Sequence, residues 1–252
     1  MDETSESGTV RCPEPSVQDC LDDARSSDAL SGSPLQRLND TVNCSTIADA
    51  MDVLDRDGGV TGLRRLTGEG VVVGPAFTLR YEVVTPDSPG TLGDFVDDVP
   101  AGAVIVIDNA GRDWCSVWGD LVSTVAHARG VAGTVIDGAC RDVAGSSGIG
   151  YSIWAASTCV KSGRGRVRLA AVQEPVMVRG VKVHPGDWVC ADESGIVVVP
   201  AKMADAVATE IRRINDMEER VLAAVRAGAP LSEARAANGY LSLGAPTKGD
   251  MA

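Results

Sequence analysis

The sequence AVIVIDNAGRDWCSVWGDLVSTVAHARGVAGTVIDGACRDV, residues Ala103–Val143, decides the fold class. It begins with the continuous apolar run Ala103–Ile107, which is typical of a strand that is buried on both faces. Leu121–Arg129 has the pattern of a helix that ends at Gly130, and a second buried strand, Gly133–Ile136, follows it. A strand, a loop, a helix and a strand within about 35 residues predict a βαβ unit in an α/β fold.

Upstream of this unit, the sequence predicts one helix and two short strands. Thr46–Leu54 has apolar residues at helical spacing, and either Thr46 or the preceding Ser45 is the expected cap. The expected strands are Val71–Val73 and Ala76–Val84, on either side of a turn at Gly74-Pro75.

Downstream of the unit, short β-type runs alternate with glycine and proline turns, which predicts a mostly antiparallel sheet or barrel. Met203–Ala227 then predicts a long amphipathic helix whose apolar stripe packs on the core or on another subunit, and which ends at Gly228. The expected strands of this half are Tyr151–Ala155, Val167–Val172, Val176–Val183, Trp188–Ala191 and Ile196–Val199.

Length and composition limit the class of protein. The 252 residues, 44% of them hydrophobic, are enough for one large domain or two small ones, with a sizeable core. No apolar run approaches the roughly 20 residues that span a bilayer, and the acidic N-terminus lacks the features of a secretion signal. We therefore expect a cytoplasmic protein with a mobile acidic leader at 1–34, one folded domain at 35–240 and a weakly patterned tail at 241–252.

The formal net charge of −12 argues against nucleic acid as a direct ligand, because acidic surfaces repel phosphate backbones. An anion site in such a protein has to be built locally from an arginine, backbone amides or a metal. The seven cysteines form no C-x-x-C pair, which favours reduced, packed thiols over a zinc cluster or disulfides. Cys140 is the one alternative, since the adjacent Arg141 could lower the pKa of its thiol.

The two strands of the βαβ unit lead to polar residues that carry the candidate chemistry. The first leads to Gly119-Asp120 at the start of a helix, and the second leads to Arg141-Asp142. Ligands of α/β folds gather beyond the carboxyl ends of adjacent strands, where helix amides such as those of Leu121 and Val122 suit a carboxylate. An arginine binds oxyanions and an aspartate can hold Mg²⁺, so this set could stabilise an enolate. A solvated Arg-Asp pair on a surface turn is the alternative reading.

The same stretch resembles the signature of the RraA-like superfamily, in which an aspartate is followed, after twenty residues, by Arg-Asp. Further similarity lies in Ser45–Asp52, Val72–Arg80 and Gly180–Pro200. The superfamily contains the 4-hydroxy-4-methyl-2-oxoglutarate/4-carboxy-4-hydroxy-2-oxoadipate aldolases and the regulators of ribonuclease E activity. The resemblance implies a single-domain α-β-β-α sandwich of the swivelling β/β/α type, assembled as trimers or hexamers with active sites at subunit interfaces.

The resemblance also implies roles for the matching residues. Asp142 would be the direct ligand of Mg²⁺ or Mn²⁺, and Arg141 would bind the 2-oxo group and stabilise a pyruvate enolate. Asp120 would belong to the acid/base apparatus and act through a metal-bound water.

The surroundings of these three residues have implied roles as well. The backbone at Gly119, Leu121 and Val122 would bind the pyruvate carboxylate. A glutamate on the C-terminal helix of a neighbouring subunit would complete the second shell of the metal, and Glu218 is the best match, with Glu219 close behind. An exposed helix carboxylate is the competing interpretation of Glu218.

The chain departs from the aldolase pattern at Gly145, where aldolases tend to carry a carboxylate. We expect a class II, metal-dependent lyase that cleaves a 4-hydroxy-2-oxo acid to pyruvate and a second oxo acid, with possible oxaloacetate decarboxylation. The alternatives are a non-catalytic regulator of a partner such as a ribonuclease, and an enzyme that uses the same site on a specialised metabolite. Asp137 could orient Arg141, and the basic Ser162–Arg166 could bind a second substrate carboxylate or form a solvated hairpin.

Overall fold

The computed structural model describes Leu35 and residues 42–240. The leader and the tail expected from the sequence lie outside these residues. No helix among the described residues is long and apolar enough to cross a membrane.

The described chain forms five α-helices and eleven strands around a central sheet. The helices are α1 (Cys44–Val53), α2 (Asp120–Ala128), α3 (Val143–Gly148), α4 (Ala204–Arg226) and α5 (Leu231–Ala237). The strands are β1 (Gly59–Val60), β2 (Arg64–Thr67), β3 (Val72–Val83), β4 (Val104–Ser116), β5 (Gly133–Cys140), β6 (Ile153–Thr158), β7 (Val167–Val172), β8 (Val176–Val178), β9 (Val181–Val183), β10 (Trp188–Ala191) and β11 (Ile196–Val199).

The sheet confirms the βαβ unit and extends it. Its strand order is β1-β11-β10-β3-β4-β5-β6-β2, with β7 paired to β3, and β8 and β9 form a separate hairpin. β3, β4, β5 and β6 run parallel to one another, and α2 connects β4 to β5. The prediction that the first strand after residue 150 belongs to an antiparallel half was wrong, because α3 returns the chain so that β6 lies parallel to β5.

Alternation along the central strands divides their side chains between two cores. Ile105 and Ile107 of β4 pack in a cluster with Ala126 of α2. Their neighbours Val104 and Val106 point to the opposite face, where they join a cluster formed by strands alone. A strand with apolar residues on both faces is therefore buried on both, as the continuous run predicted.

The side chains of the outer strands also alternate between two cores, one of which is a third cluster beside the helices α1 and α4. Ile196 and Val198 of β11 face the strand-only cluster. Val197 and Val199 face the opposite direction and pack with residues of α1 and α4. The layers are thus α1/α4, outer strands, central parallel strands and α2/α3, which is the expected α-β-β-α sandwich in one mixed α/β domain.

Three local expectations were wrong. Gly74-Pro75 does not interrupt the strand. β3 runs through both residues and changes its partner there from β10 to β4. The cap of α1 is Asn43, whose side chain accepts a hydrogen bond from the Thr46 amide at 2.9 Å. The expected strand at 176–183 is a hairpin, because Arg179 and Gly180 both have positive φ, as two-residue hairpin turns require.

Gly74 lies at a position in β3 where a side chain would clash with the backbone of a neighbouring segment. A Cβ atom there would lie 2.1 Å from the Gly102 carbonyl oxygen, so Gly74→Ala forces the backbone apart. We expect it to lower the free energy of unfolding in urea by about 1–3 kcal/mol. Gly148→Ala is the control, because a Cβ atom there meets nothing within 4 Å. Equal stabilities of the two variants would contradict this packing.

Candidate active site

The ends of β4 and β5 hold the candidate residues side by side. The Val117 amide donates to the Ala139 carbonyl at 3.2 Å, and the Arg141 amide donates to the Trp118 carbonyl at 2.9 Å. These two bonds continue the pairing of the strands past their regular ends. They bring the turn before α2 next to the turn before α3.

Arg141 and Asp142 form an ion pair in this position. Arg141 Nε lies 3.0 Å from Asp142 Oδ2, and 39% of each side chain is exposed. Asp142 has a left-handed backbone conformation, with φ of 55°, immediately before α3. Such conformations are uncommon outside glycine and cluster at functional sites, and this one turns two sequence neighbours toward the same side.

Gly119 is the close neighbour of this pair. A Cβ atom at this position would lie 2.8 Å from Asp142 Oδ2 and 3.3 Å from Arg141 Nε. A side chain at this position would have to displace the ion pair, so the glycine lets the turn before α2 approach it this closely. The backbone that the sequence predicts to bind substrate therefore lies in the same small region as the two charged side chains.

Asp120, the first residue of α2, faces α3. Its Oδ1 accepts a hydrogen bond from the Leu121 amide at 2.8 Å. A Cβ atom at Gly145 would lie 2.9 Å from the Asp120 Cβ and 3.2 Å from its Oδ2. The position at which this chain departs from the aldolase pattern therefore contacts a candidate catalytic residue, and its lack of a side chain leaves room for the carboxylate.

One of the backbone amides at the start of α2 already donates a hydrogen bond within the protein. Leu121 donates to Asp120, so this amide becomes available to a substrate carboxylate only after Asp120 turns away. The Leu121 side chain is 76% exposed, which leaves the helix start open to solvent. The dipole of the nine-residue helix favours an anion at this end.

The carboxylates present fit a sparsely coordinated divalent cation. Asp142 and Asp120 lie on the two adjoining turns, and no cluster of three or more His, Cys, Asp or Glu that could hold a metal occurs among residues 42–240 or at Leu35. Mg²⁺ commonly takes one or two protein carboxylates and keeps several waters. Asp142, half-exposed and oriented by Arg141, suits that mode of binding.

The segment after β6 forms the neighbouring edge of the site. The Ser116 amide donates to the Lys161 carbonyl at 2.8 Å, and the Gly163 amide donates to the Ser116 carbonyl at 2.7 Å. Arg166 uses its guanidinium to close this turn, with a bond from Nη1 to the Ser162 carbonyl at 2.9 Å. Ser162–Arg166 is thus a self-bonded turn beside the end of β4, and the exposed Arg164 remains available to a ligand.

Other candidates lie apart from this centre. Asp137 pairs with Arg179, whose Nε is 3.0 Å from its Oδ1, so it holds the β8–β9 hairpin rather than Arg141. His127 is exposed and packs edge-on against Tyr151, which agrees with a structural role. Glu218 lines a groove between α4 and α5, and its role toward a neighbouring subunit stays a prediction.

Cys140 is a packed thiol. It is fully buried, and burial raises the pKa of the thiol from 9.0 to about 11. Burial and the negative charge of Asp142 both raise the pKa of this thiol, so the alternative of a reactive cysteine was wrong.

Sequence reasoning missed a buried polar network behind the site. Ser123 and Ser146 are fully buried, and their hydroxyl oxygens lie 2.8 Å apart. Ser123 stands four residues after Gly119 and Ser146 four residues after Asp142. Their position, one helical turn after each site residue, was the signal in the sequence that could have found them.

Comparison with known proteins identifies the protein family to which this fold and site belong. The model of the RraA-like family, described as Aldolase/RraA, matches residues 44–198. The chain belongs to this family.

Two relatives illustrate the range of the family. Protein DlpA of Legionella pneumophila is 34% identical over 204 residues, which are 79% of this chain and 33% of DlpA. The chain thus spans about a third of the length of that relative. A protein of Halalkalibacterium halodurans, provisionally named a 4-hydroxy-4-methyl-2-oxoglutarate aldolase, is 30% identical over 69% of this chain and 80% of its own length.

Solved structures share the fold. An uncharacterized protein of Pseudomonas syringae superimposes with a TM-score of 0.73 at 35% identity, over 80% of this chain and 96% of that one. Streptomyces coelicolor RraAS2, described as an unusual member of the RNase ES inhibitor RraA protein family, gives 0.67 at 29% identity, over 73% and 93%.

Gly145→Ala tests the contact with Asp120. The added methyl group would displace the Asp120 side chain and weaken its bond to the Leu121 amide. We expect faster hydrogen exchange of that amide in NMR spectra. Gly148→Ala on the same helix is the control, since open space surrounds that position. An unchanged Leu121 amide in Gly145→Ala would show that Asp120 does not depend on this glycine.

Cys140 should resist alkylation in the native protein. With a pKa of about 11, only about a thousandth of the thiol is ionised at pH 8. Iodoacetamide followed by peptide mapping should therefore label the half-buried Cys159 well before Cys140. Because the folded-state pKa is raised, the stabilising contribution of Cys140 is complete below pH 9 and is lost as the pH rises through 11. Rapid labelling of native Cys140 at pH 8 would contradict this.

Proposed function

We propose that this protein is a divalent-metal-dependent lyase that cleaves a 4-hydroxy-2-oxo acid to pyruvate and a second oxo acid through an enolate. The observation that carries the proposal is the Arg141–Asp142 pair, at 3.0 Å, packed against Gly119 at the start of α2. A fixed cation, a metal-binding carboxylate and a helix N-terminus converge there. Family membership and a provisionally named aldolase among the relatives support the same chemistry.

Asp142, with Asp120 beside it, would hold Mg²⁺ or Mn²⁺. When bound, the cation would supply Lewis-acid polarisation of the 2-oxo group. Asp142 can serve because its carboxylate is half-exposed and already oriented by a partner. A glutamate such as Glu218 from a neighbouring subunit of a trimer or hexamer would complete the surroundings of the cation.

Arg141 would bind the 2-oxo group and stabilise the enolate. Cleavage of the bond between C3 and C4 leaves its electron pair on the pyruvate portion, where negative charge develops on the 2-oxo oxygen. A guanidinium placed beforehand is most effective at such a point, because it does not reorganise as the charge forms. The same stabilisation would support loss of carbon dioxide from oxaloacetate.

Asp120 would handle the proton. Retro-aldol cleavage removes the proton of the C4 hydroxyl, and protonation of C3 then completes pyruvate. Asp120 is exposed at the mouth of the site and its contact at Gly145 carries no side chain, so its carboxylate has room to move between these positions. Turning toward the substrate would also release the Leu121 amide, which with Val122 and Gly119 would bind the pyruvate carboxylate.

The charge around the site favours an anionic substrate. The whole chain has a net charge of −12, yet Lys161–Arg168 contains four cations and no acidic residue. This segment borders the end of β4 through the bonds to Ser116. A second carboxylate at the far end of the substrate would meet Lys161 and Arg164 there.

A screen of 2-oxo acids, with and without Mg²⁺, tests the proposal through coupled detection of pyruvate. We expect metal-dependent release from 4-hydroxy-2-oxo dicarboxylic acids and from oxaloacetate, and loss on treatment with a chelator. Arg141→Ala and Asp142→Asn should lower kcat/KM by about a hundredfold or more, as removal of an oxyanion-stabilising group does. Arg164→Ala is the matched arginine control and should raise KM more than it lowers kcat. Equal rates of wild type and Arg141→Ala would refute the site.

Regulation of a partner is the second candidate, favoured by the likeness to RraAS2, a protein described within an RNase ES inhibitor family. Capture of a ribonuclease by the wild type, with undiminished capture by Asp142→Asn and no pyruvate release from any 2-oxo acid, would favour this function. Catalysis that depends on Arg141 and Asp142 would place the protein among the enzymes.

A further inference from the structure

The turns that carry Asp120 and Asp142 are joined behind the site by a buried hydroxyl pair. Ser123 lies in the first turn of α2 and Ser146 in the first turn of α3, and both are fully buried. Their Oγ atoms are 2.8 Å apart. This hydrogen bond links side chains of α2 and α3 directly, and each of the two helices begins at a different part of the site.

The bonding partners of Ser123 favour Ser146 as the donor of this hydrogen bond. Trp118 Nε1 can only donate, and it donates to Ser123 Oγ at 2.8 Å. Ser123 uses its own proton toward the Gly119 carbonyl at 3.0 Å. Its remaining lone pair can then accept the proton of Ser146. In this arrangement Ser123 reaches the full capacity of a hydroxyl, with one bond donated and two accepted.

Each bond of this network holds one part of the site. The bond to Gly119 holds the turn that approaches the ion pair, and Trp118 also accepts the Arg141 amide through its carbonyl. Ser146, through its own amide, donates to the Asp142 carbonyl at 3.2 Å. A displacement of either helix would break a hydrogen bond between two fully buried hydroxyl groups, which is costly because a buried polar group that loses its partner is destabilising.

We propose that Ser123 and Ser146 are positioning residues that set the separation of Asp120 from Asp142. The inference rests on the proposed lyase function for its kinetic consequences and on the hydrogen bonds alone for its structural ones. Ser146 is the residue that discriminates, because its loss breaks the connection between helices while Trp118 and Gly119 keep Ser123 as a partner. Loss of Ser123 also leaves the Trp118 indole N–H without an acceptor in the core, so it lowers stability as well.

Ser146→Ala and the control Ser147→Ala test the proposal, since residue 147 lies next in α3 and is exposed. In Ser146→Ala we expect a melting temperature lower by only about 2–5 °C, a kcat lower by about tenfold to a hundredfold and a KM changed much less. Hydrogen–deuterium exchange should increase at the start of both α2 and α3. Ser147→Ala should leave all of these values unchanged.

The two proposals fail in different ways. A wild type that releases no pyruvate from any 2-oxo acid refutes the lyase, but the exchange experiment still decides the role of the serines. Increased exchange confined to α3 in Ser146→Ala, or exchange equal to that of Ser147→Ala, overturns the positioning role. A lower kcat matched by an equal loss of folded protein also overturns it, because the effect would then be on stability alone.

Discussion

The structure depends on the parallel pairing of β4 with β5 and its continuation past the ends of both strands. Parallel strands end at the same edge of a sheet, so the residues that follow them become neighbours even when they are far apart in sequence. Here the pairing brings Asp120 and the Arg141–Asp142 pair together across twenty intervening residues. The bond from the Arg141 amide to the Trp118 carbonyl is the last link of that pairing.

Close contacts at two glycines turn this adjacency into a defined site. Gly119 lets the backbone reach the ion pair, and Gly145 leaves space beside Asp120. Side chains at either position would push the charged groups apart. The site is therefore shaped as much by missing side chains as by the three residues that carry charge. The buried Ser123–Ser146 pair then holds the two turns from behind.

The fold class and the proximity of the candidate residues could be predicted from sequence, because both rest on local signals. The apolar run Ala103–Ile107 predicts a buried strand by itself, and Arg141-Asp142 carries its chemistry in its residue types. The resemblance to a family added the layer order, which periodicity alone does not contain. Assignment of the chain to the RraA-like family agrees with that expectation.

The remaining details depend on tertiary contacts that no local pattern encodes. Gly74-Pro75 looks like a turn in sequence, yet it lies inside β3 because two partner strands meet there. The direction of β6 follows from the short α3, which composition does not reveal. Asp137 stands near Arg141 in sequence but pairs with Arg179 from the β8–β9 hairpin. Gly145 contacts Asp120 across two helices, and sequence spacing does not reveal a contact of this kind.

In the proposed enzyme, Asp142 and Arg141 form one site for a divalent cation and a 2-oxo acid. The most direct measurement is calorimetric titration of Mn²⁺ with and without oxalate, a planar dianion shaped like the enolate of a 2-oxo acid. We expect oxalate to tighten Mn²⁺ binding to the wild type. Arg141→Ala should keep Mn²⁺ but lose the effect of oxalate, and Asp142→Asn should lose both. Equal Mn²⁺ binding by the wild type and Asp142→Asn, unaffected by oxalate, would contradict this proposal.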